Sequence, residues 1–314
     1  MLKTLNEVYS ARSMKRRYEV WFLRLGLADG SGGWWFRYLL MNPGRLGCNA
    51  HPQGMPVQIW ATWFPRDADP EHWIQGFPLQ ELTLSSRQRS PFVFSAGGNF
   101  IDEQSCRGQI SVGGHEIRWD LRYHSRFRAT LSNKGWIGFS RTPHSDARFS
   151  GEIALDGRVF RGEPLGTGVQ GHNCGARHRN FWTWTHAVFA NLDGSLSTLE
   201  ALVYEMPLGL VFRKVLLCHG SKTMQFKDFR EELRDPDSLE WRFRAIGKLG
   251  GHIEVTLDGA GRSIHRLPYW KTDCSGSFEV ANNSLANAHV VLQCPSQPPI
   301  LLETRGGAVL EMVG

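Results

Sequence analysis

The residues best suited to chemistry lie between Gly166 and Ser195, where His172, Cys174, His178 and His186 surround Trp182 and Trp184. Imidazole and thiolate groups are competent zinc ligands, and His172, Cys174 and His178 stand close enough in sequence to share an ion. Structural zinc sites, however, use two short paired clusters. No second pair or carboxylate accompanies this one, so no metal is expected. A thiolate at Cys174, activated by His172 or His178, would be a nucleophile, but no nucleophile elbow frames it, and an inert buried thiol is the plainer account. The glycines do not sit between a strand and a helix, as phosphate binding requires, so no nucleotide or other cofactor is expected. What is left is acid and cation chemistry. His172, His186, Glu200 or Glu205 can move a proton, and desolvated indole faces such as those of Trp182 and Trp184 attract a cation by about 1 to 2 kcal/mol each.

Two elements must position these groups. Gly166, Gly168, Gly171 and Gly175 suggest a bent, irregular approach. Phe181 to Phe189 then alternates as a strand, with Trp182, Trp184, His186 and Val188 on one face and Thr183, Thr185, Ala187 and Phe189 on the other. In the next strand Glu200 shares a face with Leu202 and Tyr204, while Glu205 goes with Ala201 and Val203. Each residue also has a purely structural account. His172 and Asn173 fix a junction loop, the indoles fill a core, His186 is a satisfied interior histidine, and the acids pair with Arg213 or Lys214.

The order His172, Asn173, Gly175, Trp182 and Trp184 resembles the "His, Asn or Gln, Trp, Gly, then Trp-x-Trp" segment of the superfamily that holds carotenoid 1,2-hydratase (hydroxyneurosporene synthase), tocopherol cyclase and the AttH-like proteins. Cys174 stands where that family usually has tryptophan, so an aromatic wall residue is lost. The resemblance implies a pair of lipocalin-like barrels with the His-Asn motif near their junction. It also implies hydration or cyclisation of an isoprenoid or polyene, which begins by protonating an alkene. A carboxyl group held in apolar surroundings stays a proton donor at neutral pH, because burial penalises its charged form. His172, His186 and Glu200 are the candidate catalytic residues, and Asn173, Cys174, Trp182, Trp184 and Tyr204 the candidate ligand contacts.

The chain of 314 residues exceeds one ordinary core, so two domains are expected. Its twelve Trp and eighteen Phe suit barrel linings or two β-cores. A net charge of +6 permits loose attraction to an anionic membrane surface but gives no argument for nucleic acid. The run Lys15-Arg16-Arg17 reads as a solvated strand flank. Six cysteines without a CxxC pair, a start without an apolar leader and no long apolar window predict reduced thiols and a cytoplasmic protein, with at most peripheral membrane contact.

Alternating apolar residues and glycine turns predict some twenty short strands and an all-β chain. Tyr18 to Leu27 and Trp34 to Met41 form a hairpin about Asp29 to Gly33. Pro65 to Gly76 reads as a short helix or lid loop, Ser132 to Asp146 as a loop crossing a barrel end, and Phe229 to Asp235 as a turn or two of helix. The fold expected is two consecutive lipocalin-like antiparallel β-barrels, residues 1–168 and 169–314. They would enclose a hydrophobic small molecule in a barrel cavity or at the junction. The expected activity is that of a hydratase or cyclase; a lipid carrier without chemistry is the alternative, and sugar binding through exposed tryptophans a third.

Overall fold

The computed structural model describes residues 4–9, 16–42, 56–85, 92–133, 138–247, 250–259, 264–272 and 275–314. Lys15, Trp136, Cys48 and Cys274 lie outside them. Among the described residues the regular structure is β, with two short 3-10 turns at Leu79–Glu81 and Pro207–Gly209. No helix there is long and apolar enough to cross a membrane.

The first sheet has twelve strands: β1 (Arg17–Leu27), β2 (Gly32–Asn42), β3 (Val57–Pro65), β4 (Glu71–Phe77), β5 (Thr83–Ser85), β6 (Val93–Ala96), β7 (Asn99–Asp102), β8 (Ser105–Val112), β9 (His115–His124), β10 (Ala129–Asn133), β11 (Gly138–Leu155) and β12 (Arg158–Gly175). It runs β4-β3-β2-β1-β12-β11-β9-β8-β7-β6-β5, with β10 on β11, and curls into a half-barrel. Side chains bridge the curl: Ser111 N donates to Gln75 Oε1 at 3.1 Å, and Trp119 Nε1 to the Tyr38 hydroxyl at 2.8 Å.

The second sheet holds β13 (Trp182–Ala190), β14 (Leu196–Glu205), β15 (Val211–His219), β16 (Lys222–Asp235), β17 (Glu240–Gly247), β18 (His252–Asp258), β19 (His265–Trp270), β20 (Ser277–Gln293) and β21 (Ile300–Val313). Strand β20 pairs with β18 as well as with β21, which closes an eight-stranded antiparallel barrel and leaves β19 as a flap on β20. The protein is therefore all-β with two barrel-like units. The chain changes sheet between Gly175 and Trp182.

Which strands face water can be read from their alternation. β9 runs Ile117, Trp119, Leu121 and Tyr123 inward, with exposed charged residues between them. β1 is buried on both faces: Trp21, Leu23 and Leu25 enter the first core, while Val20 and Phe22 join a third apolar layer between the two units.

Four local expectations are corrected. Residues 71–77 and 222–235 are strands, not helix or lid. The stretch expected as a loop from Ser132 to Asp146 holds the end of β10 and the start of β11, which is a strand broken by register shifts at Arg141/His144 and His144/Ala147. Pro143 and the polar run hide the pairing, because a bulge needs no apolar alternation. Residues 166–175 are not a bent approach but the regular second half of β12, paired with β1 and β11 on its two sides. Their glycines serve close approach: a Cβ on Gly168 would strike the Arg24 carbonyl, and one on Gly171 the Phe22 ring.

Arg126 and Arg148 reach from the first unit to carbonyls of the second, Leu196 O and Gly194 O, and a further charged side chain makes the crossing in the interior. Arg24, wholly buried, sends Nε to Ser284 O at 3.1 Å, Nη1 to Gly307 O at 3.2 Å, and Nη2 to Gly306 O at 3.0 Å and Ala308 O at 3.2 Å. These carbonyls fall where the β20–β21 register is interrupted, between Asn283 and Ala288 and between Thr304 and Ala308. The fork thus satisfies acceptors that the ladder leaves out. Arg24→Met should lower stability by roughly 3 kcal/mol, since several buried acceptors lose their donor at once. A leftward shift of the urea midpoint would register it, and Arg24→Lys, with one donor head in place of a fork, should recover only part.

Candidate functional site

The face of β13 carrying Trp182 and Trp184 turns away from the interior of its own barrel, which Ala187, Phe189, Leu199 and Leu310 help to fill. It looks instead at β1 and β2 of the first sheet. Between them lies a cleft of about 900 Å³, counting its solvent-open part. Val20, Phe22 and Trp35 line it from the first sheet, and Trp182, Trp184, Leu202 and Tyr204 from the second, with Phe139 and Tyr269 also bordering it. Trp184 meets Phe22 edge to face with ring centroids 5.5 Å apart, which fixes the spacing of the walls.

A few polar groups interrupt the aromatic surface, as expected of a small-molecule site. Glu311 accepts from Trp182 Nε1 at 2.8 Å and from the Tyr269 hydroxyl at 3.1 Å. Tyr204 and Ser132 share a hydroxyl contact of 2.9 Å. His178 stacks on Tyr18 at 4.1 Å, and its Nδ1 is buried without a partner. Burial, helped by nearby Arg37, pushes the His178 imidazole down to about 3, so it is neutral near pH 7. Asn173 Oδ1 is likewise buried without a partner.

Of the residues expected to contact a ligand, Asn173, Cys174, Trp182, Trp184 and Tyr204 all border the cleft. Cys174 is 2 % exposed, and burial pushes its thiol well above the ordinary value, so it is inert.

The three residues expected to be catalytic lie behind the walls. His172 is buried on the far side of β12, with Nδ1 2.8 Å from Leu5 O and Nε2 2.9 Å from a Glu19 carboxylate oxygen. Around it the segment 4–9 is tied down: Asn6 exchanges side-chain hydrogen bonds with Gln170, and Tyr9 N donates to Glu19 at 2.8 Å. His186 donates Nε2 to Ser145 O at 2.8 Å, and burial pushes it down to about 3, with Arg24 acting in the same direction. Glu200 sits immediately behind Trp184, accepting from its Nε1 at 3.2 Å and from Thr142 Oγ1 at 2.8 Å. The expected pairing of Glu200 with Lys214 is not made; Lys214 Nζ donates to Thr130 O at 2.7 Å. Among the described residues no three His, Cys, Asp or Glu side chains gather as a metal-binding group.

Among the polar residues of the cleft that were missed from sequence are Glu311 and Arg37. Each carried a usable signal, a single charge inside an apolar run: Ala308-Val-Leu-Glu-Met-Val313 and Trp34-Trp-Phe-Arg-Tyr-Leu-Leu40. A charge kept within such a strand faces either a partner or a ligand.

No protein-family model matches the sequence, and no curated protein matches it significantly. Solved structures do match. CghA, crystallised with Sch210972, aligns with a TM-score of 0.62 over 95% of this chain and 88% of that one at 11% identity. Kievitone hydratase from Nectria haematococca aligns at 0.56 over 100% and 95% of the two chains, at 11% identity. An AttH-assigned protein from Nitrosomonas europaea aligns at 0.54 over 100% and 96%, at 12% identity. At such identities the likeness is one of fold, and it spans both barrel-like units. The AttH-like group that the His172 to Trp184 segment resembles is represented among these structures.

Burial holds the Glu200 carboxyl up at about 7, against the pull of Thr142, Trp184 and Lys214. The unfolded chain gives up this proton in the ordinary carboxyl range and the folded chain only near 7. Folded protein therefore binds more protons in that window, and its stability falls as pH rises through it. Glu200→Gln should remove the fall, leaving the variant ~3 kcal/mol more stable relative to wild type at high pH than at low pH. Urea unfolding of both proteins at about pH 4.5 and about pH 8 measures it; an equal difference at both pH values would contradict the burial account.

Proposed function

We propose that the protein binds an apolar small molecule, polyene or isoprenoid in character, in the cleft between its two units and promotes its hydration or cyclisation. The observation that carries this reading is a carboxyl group, Glu311, held at the cleft surface by the indole of Trp182, on a wall that also presents Trp184. That is the arrangement acid-started alkene chemistry calls for: a proton carrier beside π-faces that shield and attract a cation. The full-length fold likeness to a hydratase, and to a protein crystallised with a small molecule, supports it.

In this reading the Glu311 O–H bond breaks as a C–H bond forms on the alkene. The resulting cation lies against Trp182 and Trp184. It is then captured by water, giving an alcohol, or by a second double bond of the same molecule, giving a ring. The proton lost from the added water, or from a carbon next to the new ring cation, returns to the Glu311 carboxylate, so the acid is regenerated. The closely spaced walls hold the chain folded, which alone contributes to ring closure. Glu200 acts on Trp184 from behind and is a positioning residue.

The test is incubation of purified protein with linear polyenes and isoprenoids, followed by mass analysis for a gain of water or an isomeric ring product. Wild type should convert at least one class. Glu311→Gln should lower kcat by about 10²-fold or more while leaving binding, followed by tryptophan quenching, within a few-fold. Binding without conversion, with Glu311→Gln changing affinity alone, would favour the carrier instead.

A further inference from the structure

We infer that the molecule taken up by the cleft carries a single anionic group, a carboxylate or an acidic enol or phenol, and that Arg37 receives it. This rests on the proposed apolar-ligand reading and names the ligand more closely. Arg37 projects from β2 among three aromatic rings, with its guanidinium carbon 4.3 Å from the ring centre of Tyr269, 4.9 Å from Trp60 and 5.6 Å from Trp35. The rings compensate its charge but offer little to its N–H groups. The guanidinium also meets the Tyr269 hydroxyl. Even so, Nε and Nη1 are both buried and have no hydrogen-bond partner. Two unpartnered donors on one guanidinium leave it short of acceptor oxygens, which an anionic group would bring.

Buried donors are paired in nearly all folded proteins, so such a pair at a cavity wall points to an acceptor brought by a ligand. The aromatic clamp holds the fork in place before binding, which reduces the entropy lost on capture. Arg37 borders the main cleft and also a small pocket beside it, so an acid group can meet it while an apolar chain lies along Trp182 and Trp184. Glu311 does not oppose this, because in the proposed reaction it enters as the neutral acid, with its oxygens already accepting from Trp182 and Tyr269. Arg177 and Arg179 border the same cleft and add to its positive potential.

Parinaric acid and its methyl ester share one fluorescent polyene chain and differ in charge, so their titration into the intact protein tests the inference. The acid should bind about tenfold tighter than the ester or better, as a charge-assisted bond to a buried fork implies. Arg37→Met should remove that preference while leaving ester affinity within a few-fold, and Arg37→Lys should restore part of it. The wild-type comparison stands even if a variant fails to fold. Equal binding of acid and ester would overturn the anion inference and leave the apolar cleft standing, whereas binding of neither would overturn both.

Discussion

The buried guanidinium of Arg24 is the constraint on which the arrangement depends. Two curved sheets could meet through apolar contact alone, but such contact is non-directional and would let them slide. Arg24 replaces sliding with a fixed register, because its fork fits carbonyls that only the interrupted β20–β21 ladder turns outward. Burial pushes the Arg24 guanidinium down to about 9, which leaves it charged at neutral pH and in need of those acceptors. A second set of contacts runs the other way, from the interrupted part of β11. Thr142 donates to Glu200, and Ser145 meets His186 and Thr198. Each unit thus offers the other an irregular strand, and polar atoms freed by that irregularity set the junction.

The cleft follows from that fixed separation. Its walls come from different sheets, and each unit keeps its own apolar core, the first around Trp21, Trp34 and Phe94, the second around Trp241, Phe243 and Phe189. The space left between the units is aromatic on both sides and polar at only a few points. Two ionisable residues, Glu311 and Arg37, bracket the ring of Tyr269, one at its hydroxyl and the other over its face.

Much of this was legible in the sequence. Alternation gave the β class, and the spacing from His172 to Trp184 led to a segment that borders the cleft and to the paired indoles. Alternation divides a strand into two faces without saying which is inside, so the Trp182 face could not be assigned to a barrel interior or to its outer wall. His172 and His186 drew attention as proton carriers because the sequence does not show their buried acceptors, Leu5 O and Glu19 for one and Ser145 O for the other. Glycines 166 to 175 pointed to unusual backbone, whereas at Gly168 and Gly171 the structure needs room for β1. Bulges left least trace, since Arg141 to Asp146 has the composition of a loop and the pairing of a strand.

A site outside both cores is mutationally uncoupled from them. Residues such as Trp35, Leu202 or Phe139 can be exchanged to suit a longer, shorter or more polar guest without creating a void in either unit, so selectivity can drift at small cost in stability. A scaffold built this way can keep its shape while its guests diversify, which is one physical route to architectures held in common at 10 to 12% identity.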